Sequence, residues 1–158
     1  MKKYDYQTPV GMIWVGDYEG KISHISFSEI DGEKLETPVI KNMYFQLCEY
    51  FDGKRKVFDV PLHIEGTPFQ VKVWQVLMKI PYGKTVSYKD IADKIGNPNA
   101  SRAVGMANNR NKIAIVIPCH RVIASNGDLT GYAGGLDVKK YLIDLENKYS
   151  LQTKKLCK

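Results

Sequence analysis

Ile113-Ala114-Ile115-Val116-Ile117, followed without a break by Pro118-Cys119-His120-Arg121-Val122, is the stretch around which the rest of the chain can be organised. Five consecutive apolar residues predict a strand buried on both faces. That strand would carry a cysteine out of the core and into a turn. Neighbouring side chains on a strand point to opposite faces, so Cys119 and His120 can cooperate only if the chain bends, and Pro118 supplies the means. Cooperation would matter because the thiolate is the nucleophile and a histidine can take its proton. Taken by itself, the bare dipeptide is better read as a structural cysteine beside a surface histidine.

Toward the C-terminus, Val138, Tyr141, Leu142, Leu145 and Tyr149 form the apolar stripe of a last helix, with Glu146 on the same face. A carboxylate placed there needs a partner and could orient His120, although periodicity alone also allows a rim position in water. Toward the N-terminus, Ser87-Tyr88-Lys89-Asp90 caps one short helix that stops at Gly96-Asn97-Pro98-Asn99, and a second is predicted from about Ala100 to Asn108. This is the outline of a helix-turn-helix, with Arg102 projecting among the small residues Ala103, Gly105 and Ala107. A helical hairpin of no special function has the same outline. Thr67-Pro68-Phe69-Gln70 starts a further helix with Phe69, Val73, Leu77 and Ile80 on its apolar face. The region Pro61 to Gly66 therefore divides the chain into residues 1–63 and 64–158. Before it come a predicted hairpin, Gly11–Val15 and Ile22–Phe27 around a turn at Asp17–Gly20, and a helix within Ile40–Phe51. His24 falls on the polar side of the hairpin and reads as a solvated strand residue, and Cys48 beside the helix's apolar stripe reads as an inert core residue.

The 158 residues, 44% hydrophobic, suffice for one ordinary domain or two small ones, and the net charge of +6 favours a polyanionic partner. No apolar run approaches a membrane span and no secretory leader opens the chain, so the expected location is cytoplasmic. Cys48, Cys119 and Cys157 are odd in number and lack CxxC spacing, which argues against a disulfide framework or a zinc cluster.

The chain resembles the O6-alkylguanine-DNA alkyltransferases over almost its whole length. The resemblance is carried by Gly66-Thr67-Pro68-Phe69-Gln70 with Val73-Trp74, Ile80-Pro81-Tyr82-Gly83 with Thr85 and Ser87-Tyr88, Arg102-Ala103-Val104-Gly105, Asn111, Ile117-Pro118-Cys119-His120-Arg121-Val122, and Gly131-Tyr132-Ala133-Gly134-Gly135-Leu136 before the Lys139–Glu146 helix. It implies an N-terminal α/β domain of ribonuclease-H-like topology and a mostly α-helical C-terminal domain that holds a helix-turn-helix and the active site. It also implies direct-reversal repair, in which an alkyl group passes irreversibly from O6 of guanine, or O4 of thymine, to Cys119 in a single turnover.

By the same resemblance, His120 is a base acting through water and Glu146 orients it. Tyr88 assists base flipping and guanine departure, Asn111 braces the segment before the cysteine, and Arg102 fills the gap left in the duplex, with Ala103 and Gly105 beside it on the DNA face. Main-chain groups of Cys119 and Val122, the Tyr132-Ala133 loop and Lys139 surround the guanine. The implied partner is double-stranded DNA containing O6-alkylguanine, with no membrane, no cofactor and no metal, and the chain is expected to act as a monomer. Asn108 and Asn109 depart from the family's usual residues, as does Ala133, where a serine often stands. Three rivals remain at this level: a lesion binder without transfer activity, against which Cys119 speaks, a helix-turn-helix transcription factor, and a cysteine hydrolase.

Overall fold

The computed structural model describes residues 1–156, with side chains as far as Leu151, so Cys157 lies outside the described residues. Two compact units are present, Met1–Glu65 together with Lys112–Ala114, and Gly66–Asn111 together with the chain from Ile115 onward.

In the first unit, β1 (Lys2–Thr8), β2 (Gly11–Tyr18), β3 (Lys21–Ser26) and β4 (Glu33–Lys34) form one sheet in the order β3-β2-β1-β4. The expected hairpin is β2–β3. Its turn places Glu19 and Gly20 both at positive φ, the twist a tight hairpin requires, and Asp17 Oδ1 accepts from Gly20 N at 2.7 Å. Helix α1 (Pro38–Phe51), capped by Thr37, lays Ile40, Met43, Leu47 and Tyr50 against Ile13, Val15, Ile22 and Ile25. Each large side chain so buried contributes ~1.5–3 kcal/mol.

Strand β1 is absent from the expected elements because Lys3, Asp5 and Gln7 alternate with tyrosines that are only half-buried. It is secured from the side instead, by Tyr6 stacking on Tyr44 of α1 at 3.8 Å between ring centres. Two other readings of this unit are corrected. Cys48 is half-buried, not a core residue, and the polar Gln46 takes the inner position by exchanging hydrogen bonds with the backbone of Asp59. His24 is half-buried, not solvated, and burial first, then the charges of Lys112 and His63, lower its pKa.

The second unit contains α2 (Pro68–Leu77), α3 (Tyr88–Lys94), α4 (Ser101–Asn109) and α5 (Leu136–Leu156), plus the short parallel pair β5 (Val86–Ser87) and β6 (Val122–Ile123). The starts of α2 and α3 form as their sequences predict: Thr67 with Gln70, and Ser87 with Asp90, make reciprocal capping boxes. Trp74 is buried, and its indole N–H donates to the carbonyl of Ala107 near the end of α4 at 2.9 Å. On α5 the inner stripe differs from the apolar one expected. Tyr141 is 40% exposed, whereas Lys139, Leu142 and Glu146 are buried. The two charged residues can sit inside because each meets a partner there, which a hydrophobicity pattern cannot register.

The expected strand at Ile113–Ile117 does not form. Only Ile113 bridges to a strand, beside Ile25 of β3, and residues 114–117 run as turns with Ile115 at φ 70°. An apolar run reports burial on every side but not an extended backbone. A β-branched residue in the left-handed region is a strained conformation that the surrounding packing has to impose. Among the described residues no helix is long and apolar enough to cross a membrane.

Candidate active site

The bend required between Cys119 and His120 is present. After Pro118, residues Cys119–Arg121 wind into one 3-10 turn, and Val122 then enters β6 beside β5. Two amides fix this turn from the neighbouring chain. Asn111 Nδ2 donates to the carbonyl of Ile117 at 2.7 Å, and the buried Asn108 Nδ2 donates to that of Cys119 at 3.3 Å.

His120 is fully buried, and its Nε2 lies 2.6 Å from Glu146 Oε2. Glu146 is 2% exposed and also accepts from Arg121 Nε at 2.8 Å, Arg121 Nη2 at 3.1 Å and the Gly83 amide at 3.1 Å. Burial by itself would raise the Glu146 pKa, but His120 and Arg121 outweigh it and bring the group down to about 2. An ionised Glu146 only accepts, so Nε2 of His120 must carry a proton, and Nδ1 is the nitrogen with the lone pair. Nδ1 has no hydrogen-bond partner among the described residues. Burial, the larger influence, lowers the His120 pKa against the pull of Glu146, which favours neutral imidazole able to accept a proton.

Cys119 is 6% exposed. Burial pushes its thiol up, while Asn111, the positive charge of Lys139 and the Tyr132 hydroxyl act to lower it. Burial likewise lowers the Lys139 pKa, and its Nζ donates to the Thr130 carbonyl at 2.7 Å, 5.9 Å from the Tyr88 ring centre. The Tyr88 hydroxyl lies 3.1 Å from Thr130 Oγ1 and donates to the Thr130 carbonyl at 3.3 Å. Val122, three residues after the cysteine, is buried, whereas Ala133 is exposed on the loop before α5.

Outside this centre, α3 and α4 meet around Gly96, and Arg102, Ala103 and Met106 of α4 are exposed. A groove of about 390 Å³ is lined by Tyr88, Arg102, Gly105, Asn109, Thr130 and Gly131, among others. A methyl group at Gly105 would meet the Tyr88 ring at 3.8 Å, an ordinary contact. Nothing inside the protein therefore demands glycine there, although glycine costs a helix up to about 1 kcal/mol.

Of the residues singled out in the sequence, Cys119, His120, Glu146, Asn111, Tyr132 and Lys139 come together in one buried centre, and Tyr88, Arg102 and Gly105 border the groove. Arg121, Asn108 and Thr130 were not singled out for their contacts. Arg121 had a signal, since a carboxylate on a buried stripe calls for a cation and Arg121 stands next to His120. Asn108 donates its side-chain amide to the carbonyl of Cys119 and Thr130 offers its own carbonyl, and a carbonyl partner leaves no trace in residue type.

A buried cysteine beside a histidine whose outer nitrogen is held by an ionised carboxylate defines a protein built for nucleophilic attack by sulfur. The family model of the 6-O-methylguanine DNA methyltransferase DNA-binding domain matches residues 68–148, and that of the same family's ribonuclease-like domain matches residues 1–64. The chain is 51% identical over 150 residues to the methylated-DNA–protein-cysteine methyltransferase of Methanosarcina acetivorans, covering 89% of this chain and 95% of that one. The constitutive enzyme of the same description from Bacillus subtilis is 46% identical over 151 residues, covering 89% and 92%. The crystal structure of Mycobacterium tuberculosis OGT in complex with DNA has a TM-score of 0.87 at 40% identity and 94% coverage of both chains. The chain thus belongs to the 6-O-methylguanine DNA methyltransferase family.

Proposed function

We propose that the protein repairs DNA by taking an alkyl group from O6 of guanine onto Cys119 and is consumed in doing so. The observation that carries this reading is the Cys119–His120–Glu146 arrangement, in which Glu146 fixes His120 so that Nδ1 is the only nitrogen left to accept the thiol proton. His120 takes that proton through a bridging water. The sulfur forms a bond to the alkyl carbon, the bond from that carbon to O6 breaks, and its electron pair leaves with the guanine, which regains one proton. The product is a thioether that no group in the site is equipped to cleave. O4-alkylthymine offers the same chemistry and is a second substrate of the reading.

Tyr88 assists base flipping and guanine departure, Asn111 braces the turn, and Val122, Tyr132, Ala133 and Lys139 surround the base. Helices α3 and α4 serve as a helix-turn-helix, with Arg102, Ala103 and Gly105 on its DNA face. Residues 1–63 form an α/β domain of ribonuclease-H-like topology, and residues 64–158 bind DNA and carry the transfer. Extruding a nucleotide costs a few kcal/mol, least for a damaged pair, and an inserted Arg102 with the net charge of +6 offsets part of that cost. One molecule suffices for the geometry, and a reducing cytoplasm keeps Cys119 as a thiol, so action as a cytoplasmic monomer follows from the same reading.

The test is intact-mass and peptide measurement after incubation with duplex DNA containing O6-methylguanine. One methyl group per molecule is expected, on the peptide holding Pro118-Cys119-His120. Methyl on Cys48 or Cys157, or guanine release exceeding the amount of protein, would refute the proposal and in the latter case favour a turning-over hydrolase.

Arg102→Ala is expected to slow repair of duplex DNA by about tenfold or more, a loss worth ~1.4 kcal/mol, and to leave reaction with a free O6-alkylguanine base nearly unchanged. The role assigned is support of extrusion, not contact with the leaving base. Equal losses on both substrates would remove that role.

A further inference from the structure

Resting on the function proposed above, we propose that Thr130 is a positioning residue that latches the active-site loop over Cys119, so that the cysteine reacts with a base delivered by DNA in preference to small electrophiles in solution. Thr130 is the meeting point of two groups from different helices. Its carbonyl accepts from Lys139 Nζ of α5 at 2.7 Å and from the Tyr88 hydroxyl of α3 at 3.3 Å, and its Oγ1 lies 3.1 Å from the same hydroxyl. Lys139 Nζ also stands 5.9 Å from the Tyr88 ring centre, which closes a triangle across the loop.

What this triangle closes follows from the surroundings of the sulfur. Thr130 and Tyr88 line the outer groove, but Cys119 is absent from that lining and is 6% exposed. The hydroxyl of Tyr132, two residues beyond Thr130, acts on the sulfur and lowers the thiol pKa against burial. Thr130 lies within a segment bounded by Gly127 at φ 89° and Gly135 at φ 95°, both in the left-handed region, where glycine turns without steric cost. A short loop with glycine at each end, tied from outside at one residue, can swing once that tie breaks.

Tyr88 is the part of the tie that DNA can reach, because its side chain borders the groove beside Arg102 and Gly105. DNA seated against α4 would draw the Tyr88 hydroxyl away from Thr130 and release the loop as the base arrives. A small electrophile cannot do this and has to wait for spontaneous opening. For a protein that reacts once, such a bias keeps the cysteine for its substrate.

The experiment measures the rate at which iodoacetamide labels Cys119, read from the Pro118-Cys119-His120 peptide so that Cys48 and Cys157 do not count. Thr130→Val keeps the carbonyl and the side-chain shape but removes the hydroxyl. Labelling is expected to rise about threefold to tenfold, the value of one exposed hydrogen bond. Thr130→Ser should return it to the wild-type rate, and Tyr88→Phe should raise it without adding further to Thr130→Val in the double variant. In Thr130→Val, transfer from duplex DNA containing O6-methylguanine should change far less than labelling does. Wild-type labelling in Thr130→Val, failure of Thr130→Ser to restore it, multiplying effects in the double variant, or an equal rise on duplex DNA would each overturn the latch. The labelling arm needs no alkylguanine, so its outcome stands apart from that of the methyl-transfer test, and either reading can fail alone.

Discussion

Glu146→Gln will slow alkyl transfer near neutral pH by about 100-fold, the lower end of what a positioned acid–base relay contributes. The amide keeps the size of the carboxylate, and its oxygen can still accept from His120 Nε2. It cannot supply the negative charge that stabilises imidazolium when Nδ1 takes the thiol proton. Less thiolate then forms at a sulfur whose burial already disfavours it. The loss should shrink as the pH approaches the unperturbed cysteine value of roughly 8.5, where thiolate forms without help. Single-turnover rates of both proteins across that range, with DNA affinity measured separately, decide the matter. A variant that reacts at the wild-type rate throughout reduces the relay to Cys119 and His120. A parallel fall in DNA affinity assigns Glu146 a structural role alone.

Arg121→Met is expected to cost about 3–5 kcal/mol of folding stability, the usual penalty for removing one member of a buried ion pair. Arg121 gives Glu146 two hydrogen bonds and binds the Ile80 carbonyl with Nη1 at 2.7 Å, so its removal leaves a carboxylate in the interior without its guanidinium partner. Combining it with Glu146→Leu should recover part of the loss, because the stranded charge is gone. Urea unfolding midpoints of the four proteins test this. A single-variant loss below about 1 kcal/mol would show that water reaches Glu146 freely.

The same cluster makes the wild type acid-sensitive in two stages. Burial holds the folded His120 pKa below its ordinary 6.5, so the unfolded chain binds the extra proton first and stability falls as the pH drops below that value. Glu146, held near 2 against an ordinary 4.5, contributes stability that is complete above 4.5 and disappears as the pH falls toward 2.

Much of the second unit was legible because its signals are local. The capping boxes at Thr67 and Ser87, the stop at Gly96 and the bend at Pro118 each depend on residues a few places apart. The Cys119–His120 pair was legible as chemistry, and Glu146 as a buried carboxylate in search of a partner. What the sequence hid depends on contacts between distant segments. Residues 113–117 looked like a strand because a turn packed on all sides has the same composition. Strand β1 was hidden because its stability lies in pairing with β2 and in the stack of Tyr6 on Tyr44, not in its own hydrophobicity. Lys139 was placed near the guanine only by resemblance, since its burial depends on a carbonyl nine residues earlier.

The bond from the Trp74 indole to the Ala107 carbonyl gives the protein a built-in optical reporter. Indole emission responds to polarity and to what its N–H touches, and Trp74 is buried with that N–H fixed to the helix that carries Arg102. Trp14, the other of the two tryptophans, is half-buried in β2 beneath the Lys3 ammonium and supplies a separate signal. Trp14→Phe would leave emission from Trp74 alone. Movement of α4 could then be followed as a change in the intensity or colour of its fluorescence, with unlabelled DNA and without waiting for chemistry.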